Sequence, residues 1–86
     1  MNKIEWTRRA LKQIISIDQR YVHNIRNKVN ELSTFPDVSL DIKNISGESN
    51  QFRLRVGIYR ILFEVINEEP VIISIQAIRS RTPTPY

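Results

Sequence analysis

Gln51-Phe52-Arg53-Leu54-Arg55-Val56-Gly57-Ile58-Tyr59-Arg60-Ile61-Leu62-Phe63-Glu64-Val65-Ile66 decides the fold. Side chains alternate between the faces of a strand, so Phe52, Leu54 and Val56 share one face and Arg53 and Arg55 the other. Val56-Gly57-Ile58 reads as the point where the chain turns back. The second strand puts Tyr59, Ile61, Phe63 and Val65 on one face and Arg60, Leu62, Glu64 and Ile66 on the other, as expected of a central strand covered on much of both sides. With Tyr59, Ile61 and Phe63 joining Leu54 in the core, Arg60 falls beside Arg53 and Arg55. Three guanidiniums gathered across a turn repel one another unless an anion sits among them. The stretch thus predicts a hairpin and an anion-binding face together.

Working outward, Asn67-Glu68-Glu69-Pro70 is turn chemistry, and Val71 to Ile78 is a third, largely β-branched strand that completes an antiparallel meander. Arg79 has the parity of Ile73 and Ile75, so this strand is expected to end or twist near Ile78. In the tail from Arg79 to Tyr86, Pro83 and Pro85 withhold amides from any ladder and favour a stiff extended path. Upstream, residues 36–50 are Asp, Ser and Asn rich and read as a loop anchored by Leu40, Ile42 and Ile45. Before it, Val22, Ile25, Val29 and Leu32 recur at helical spacing between Gln19 and Thr34, and Phe35-Pro36 stops the helix. An earlier helix follows the N-cap Thr7, with Ala10, Leu11, Ile14, Ile15 and Ile17 as its apolar stripe. Ile4 and Trp6 alternate in a first strand. The order is β-α-α-β-β-β, an α+β fold in which the meander, an N-terminal strand and a two-helix hairpin packed on one sheet face form a single domain over residues 1–86.

Eighty-six residues bound the chain to one modest core. The formal charge is +4, and the five basic residues from Gln51 onward are all Arg, against Glu64, Glu68 and Glu69. The planar guanidinium suits two-pronged recognition of phosphate. Without Cys, disulfides and thiolate metal sites are excluded. No signal peptide or membrane-spanning apolar run is evident, so a cytoplasmic protein without cofactor, metal or membrane partner is expected.

The run Arg53 to Arg60, followed by the apolar strand Ile61 to Ile66, closely resembles the central signature of the RelE/ParE superfamily of bacterial toxins. Lys43-Asn44-Ile45-Ser46-Gly47 resembles the short segment that precedes that signature, and Ala77-Ile78-Arg79-Ser80-Arg81 resembles its arginine-bearing end. The resemblance covers essentially the whole chain in element order. It implies the toxin of a type II toxin-antitoxin pair, silenced by a cognate antitoxin protein. Two activities divide the superfamily: the RelE-like branch cleaves mRNA on the ribosome, and the ParE-like branch poisons DNA gyrase. The arginine chemistry favours the RelE-like branch, with ribosome and mRNA as partners and gyrase as the alternative target.

Metal-independent RNA cleavage needs an activated 2′-hydroxyl, neutralisation of charge growing on the phosphate, and protonation of the leaving 5′-oxygen; preplaced cations usually supply the largest share. By resemblance, Arg60 is the phosphate clamp and Arg53 stands beside it where RelE-like toxins often carry lysine. Arg81, with Arg79 as the competing assignment, matches the arginine ending the last strand. Tyr86 matches a C-terminal tyrosine that stacks on a base, worth ~1–3 kcal/mol. Arg55, Arg79 and Lys43 are the accompanying RNA-binding residues. A guanidinium, with a pKa above ~12, is a poor proton acceptor. Glu64, which shares parity with Arg60, is a possible general base, with Asp41 and the ribosome as alternatives. The plainer readings are a solvated strand face for Arg53 and Arg55, a structural ion pair for Glu64 with Arg60, and a solvated helix face for Arg8, Arg9, Lys12 and Arg20.

Overall fold

A two-residue turn at Gly57 and Ile58, with Gly57 at φ +59°, joins the two strands of the organising stretch; only glycine holds that left-handed conformation without steric cost. The computed structural model describes residues 1–45, 47 and 50–80. In chain order these form β1 (Lys3–Trp6), α1 (Arg8–Ile15), α2 (Gln19–Asn30), a 3-10 turn (Glu31–Thr34), β2 (Ile42–Asn44), β3 (Gln51–Val56), β4 (Tyr59–Ile66) and β5 (Ile72–Ser80). One sheet orders them β1-β5-β4-β3-β2, antiparallel throughout except that β1 lies parallel to β5. The meander of β3, β4 and β5 is as the alternation predicts.

The helices cover one face of this sheet, and the core lies between them. Leu54, Ile61, Phe63, Ile73, Ile75 and Ile78 from the strands meet Ala10, Ile14, Ile25, Val29 and Leu32 from the helical side. Phe63 is fully buried, stacks on Phe52 at 5.5 Å and receives the edge of Phe35 at 5.6 Å. Burying such side chains is the main favourable term in folding.

Three sequence expectations change in detail. Residues 42–44, read as loop, form the short edge strand β2 against Leu54, Arg53 and Phe52; three residues are too few for an alternation to register. The apolar stripe of α1 is narrower than five residues. Ala10 and Ile14 are buried, whereas Leu11 is 42% and Ile15 81% exposed, because they sit one residue, about 100°, round the helix from the sheet-facing line. The second helix tightens into 3-10 geometry at Glu31 before Phe35.

The caps are built from side chains. Thr7 Oγ1 accepts from Ala10 N at 3.2 Å to start α1, and Asp18 Oδ1 accepts from Arg20 N at 2.9 Å to start α2. Asp18 also accepts hydrogen bonds from the Arg20 guanidinium at 3.2 and 3.0 Å. That side-chain hydrogen bond, aided by the backbone one, holds the Asp18 carboxyl below the usual carboxylate range and raises Arg20. A depressed carboxylate contributes stability above its unfolded pKa and loses it as pH falls through the folded value. Both groups are exposed, so screening keeps this contribution small.

Thr7 does a second job that bears on the open face of the sheet. Its hydroxyl faces both Ile75 O, at 2.9 Å, and Gln76 O, at 3.1 Å, where the β4–β5 register slips by one residue between the Phe63–Ile75 and Leu62–Ala77 pairs. Gln76 is the extra residue of a β-bulge. The bulge inverts the parity of β5, so Ile73 and Ile75 face the core before it and Ile78 faces the core after it. Gln13 Oε1 of α1 fixes the segment beyond, accepting from Ile78 N at 2.6 Å. The strand therefore neither stops nor turns Arg79 inward; it runs on to Ser80 with Arg79 exposed.

Candidate nucleic-acid interface on the open sheet face

Strand pairing fixes which side chains share the face that carries no helix. Lys43, Arg53, Leu62 and Ala77 lie opposite one another across β2, β3, β4 and β5, and the next row along carries Arg55, Arg60 and Arg79. Directly opposed residues have their Cβ atoms only ~4.5–5.5 Å apart, so Arg55, Arg60 and Arg79 form a line of like charge. The bulge at Gln76 brings Arg79 into that line. Without it, Arg79 would point at the helices.

Lys43, Arg53, Arg60 and Arg79, with Ile45 and Leu62 as an apolar wall, border an open concavity of about 390 Å³. That is room for a nucleotide-sized group with a charged rim and an apolar floor. Arg60 and Arg79 are exposed and make no ion pair among the described residues. Arg53 and Arg55 each lie 3.9 Å from Asp41. Opposed like charges destabilise a sheet, and an anion placed among them would offset that repulsion.

The opposite end of the same face has the other sign. Gln51, Glu64, Ser74 and Glu5 form a row across β3, β4, β5 and β1. Glu64 Oε2 accepts from Asn50 Nδ2 at 3.1 Å and has no ion pair with Arg60 among the described residues. Four residues of strand, about 13 Å, separate the two. The structure thus groups Arg53, Arg55, Arg60, Arg79 and Lys43 and leaves Glu64 outside the cluster; the suggested Glu64–Arg60 ion pair fails for the same reason. Arg81 and Tyr86 lie outside the described residues. Asp41, just before β2, is the carboxylate within the basic end, 3.9 Å from both Arg53 and Arg55.

A second concavity of about 440 Å³ lies on the helical side, bordered by Ile14, Ile15, Ile17, Val22, His23 and Arg26. His23 is exposed and bonded to Asn27 at 3.2 Å, and the Arg26 guanidinium lies 5.6 Å from the Trp6 ring centre. No helix is long and apolar enough to cross a membrane.

Comparison with known proteins agrees with this architecture. The family model described as the ParE toxin of type II toxin-antitoxin system, parDE, matches residues 4–83. No curated protein sequence matches the chain. Among solved structures, the RelB-RelE antitoxin-toxin complex from Methanococcus jannaschii contains a chain 26% identical to this one, with a TM-score of 0.70, covering 90% of this chain and 89% of that one. The RelE-RelB complex from Pyrococcus horikoshii OT3 matches at 17% identity and a TM-score of 0.77, covering 96% and 98% of the respective chains. The isolated E. coli RelE toxin matches at 16% identity and a TM-score of 0.78, covering 99% and 89%. At those last two identities the likeness is one of fold.

Proposed function

Because this chain belongs to the RelE/ParE superfamily of type II toxin-antitoxin toxins, we propose that it is a ribosome-dependent mRNA endoribonuclease that arrests translation by metal-independent cleavage through the 2′-hydroxyl. The observation that carries this reading is that Lys43, Arg53, Arg60 and Arg79 border one nucleotide-sized concavity, with Arg55 next to Arg60 in the cross-strand row. The 2′-oxygen attacks the adjacent phosphorus, the bond to the 5′-oxygen breaks with a proton from solvent passing to that oxygen, and a 2′,3′-cyclic phosphate and a 5′-hydroxyl remain. Arg60 and Arg79 grip the phosphate's nonbridging oxygens as negative charge grows there, assisted by Arg53 and, in the tail, Arg81. Tyr86 stacks on a neighbouring base. Guanidiniums do not take up the 2′-proton near neutral pH. With Glu64 about 13 Å along its strand from Arg60, the reading assigns that proton to a ribosomal group.

The partner that silences the toxin is an antitoxin protein, by analogy with the relatives solved in complex with RelB. Charge supports it: between residues 8 and 30 stand Arg8, Arg9, Lys12, Arg20, Arg26 and Lys28 against Asp18 alone. An acidic, partly helical segment fits that hairpin or the arginine face.

A second reading, a gyrase poison without nuclease activity, is favoured by the name of the matching family model. Mapping transcript 5′ ends after induction separates the two. The ribonuclease reading expects new ends inside codons within minutes of growth arrest. Intact transcripts with trapped double-strand DNA breaks would replace it with the second.

A further inference from the structure

Asp41 is a carboxylate set into a basic surface. Arg55 N donates to its carbonyl oxygen at 2.9 Å, which continues the β2–β3 pairing one residue beyond Ile42 and gives Asp41 the parity of Lys43. Its Oδ1 lies 3.9 Å from Arg53 Nη2 and its Oδ2 lies 3.9 Å from Arg55 Nη1. Direct charge-assisted hydrogen bonds are about 2.7–2.9 Å long. One carboxylate is therefore stretched between two guanidiniums and fully bonds neither. Arg53 is drawn in, with its side chain 13% exposed and Nη1 buried without a hydrogen-bond partner among the described residues, whereas Asp41 is 57% exposed. A buried, unpaired guanidinium N–H is unfavourable. Arg60 and Arg79 have no such carboxylate among the described residues.

We propose that Asp41 is an internal counter-anion that latches Arg53 and Arg55 in the unliganded protein and is displaced by a phosphate of single-stranded nucleic acid. The latch deepens the ribonuclease reading and rests on it only for the identity of the ligand. Arg60 and Arg79, without an ion pair among the described residues, make the first contact. The phosphate then replaces the two long contacts of Asp41 with direct two-pronged hydrogen bonds and gives the stranded Arg53 N–H an acceptor. Asp41 swings into solvent, to which it is already more than half exposed. The latch lowers affinity for stray anions and offsets the repulsion between Arg53 and Arg55 until a polyanion arrives.

The test is binding of a short fluorescent 2′-deoxy oligonucleotide, which cannot be cut through a 2′-hydroxyl, to the purified full-length chain. Asp41→Asn is expected to bind about three- to tenfold more tightly at low salt, the range for losing two partly exposed ion pairs, with the gain shrinking as salt rises. Asp41→Glu should restore wild-type affinity, and in an Arg53→Ala background the gain from Asp41→Asn should fall by at least half. Asp41→Ser, expected to shift in the same direction, serves if the Asn variant melts early. Affinity of Asp41→Asn equal to or weaker than wild type overturns the latch, since a purely supporting aspartate would lose affinity when neutralised. A parallel cleavage assay keeps the two claims apart. Tighter binding without RNA cleavage retains the latch and removes the ribonuclease, whereas cleavage without tighter binding does the reverse.

Discussion

Arg60→Ala is expected to reduce RNA cleavage on programmed ribosomes by about 10²–10³-fold, the usual effect of removing one preplaced group from a site of developing charge. Its fold should be untouched. Arg60 is exposed, has no ion pair among the described residues, and lies between Arg55 and Arg79 in a like-charged row. Surface changes of this kind usually stay within about 0.5 kcal/mol, and relief of repulsion gives a melting temperature equal to or slightly above wild type. Single-turnover cleavage together with thermal melting checks both halves. Arg60→Lys keeps the charge without the two-pronged geometry and should recover only part of the rate. Full activity in Arg60→Ala would remove the phosphate clamp from the account.

The second large effect is on stability. Phe63→Ala is expected to cost about 3–5 kcal/mol, because the residue is fully buried and its ring is the centre on which Phe52 and Phe35 pack. For a domain whose total stability is of order 5–15 kcal/mol, that is enough to leave a sizeable unfolded fraction at 37 °C. Urea unfolding should show a lower midpoint with an unchanged slope. Phe63→Leu, which refills most of the space, should recover more than half of the loss. Phe63 alternates with Leu62 and Glu64 on the open face, so the same strand carries both core and rim, and a loss at Phe63 reduces activity only in proportion to the folded fraction.

Most of this architecture is legible in β3 and β4, whose period-two pattern is long enough to assign both faces. Arg53, Arg55 and Arg60 land together because each pairs across a two-residue turn at which Gly57 permits only a short reversal. The position of Arg79 is not legible, since it depends on the bulge at Gln76 and on Thr7, sixty-nine residues earlier in the chain, facing that carbonyl. Local alternation contains no sign of such a long-range contact. The position of Asp41 beside Arg53 and Arg55 is hidden likewise, because β2 spans three residues and gains its identity only by pairing with β3. Leu11 and Ile15 look like core residues from spacing alone, yet an eight-residue helix lying on a sheet buries only its narrow inner line.

The proposed site places the phosphate backbone of RNA across β2 to β5 on the open face, not along the helices. Side-chain NMR of the arginines during titration with a short non-cleavable RNA tests it most directly. The Nε–Hε signals of Arg53, Arg55, Arg60 and Arg79 are expected to shift together and saturably while those of Arg8, Arg9, Arg20 and Arg26 stay in place. Shifts confined to the helical arginines, with the sheet arginines unmoved, would contradict it.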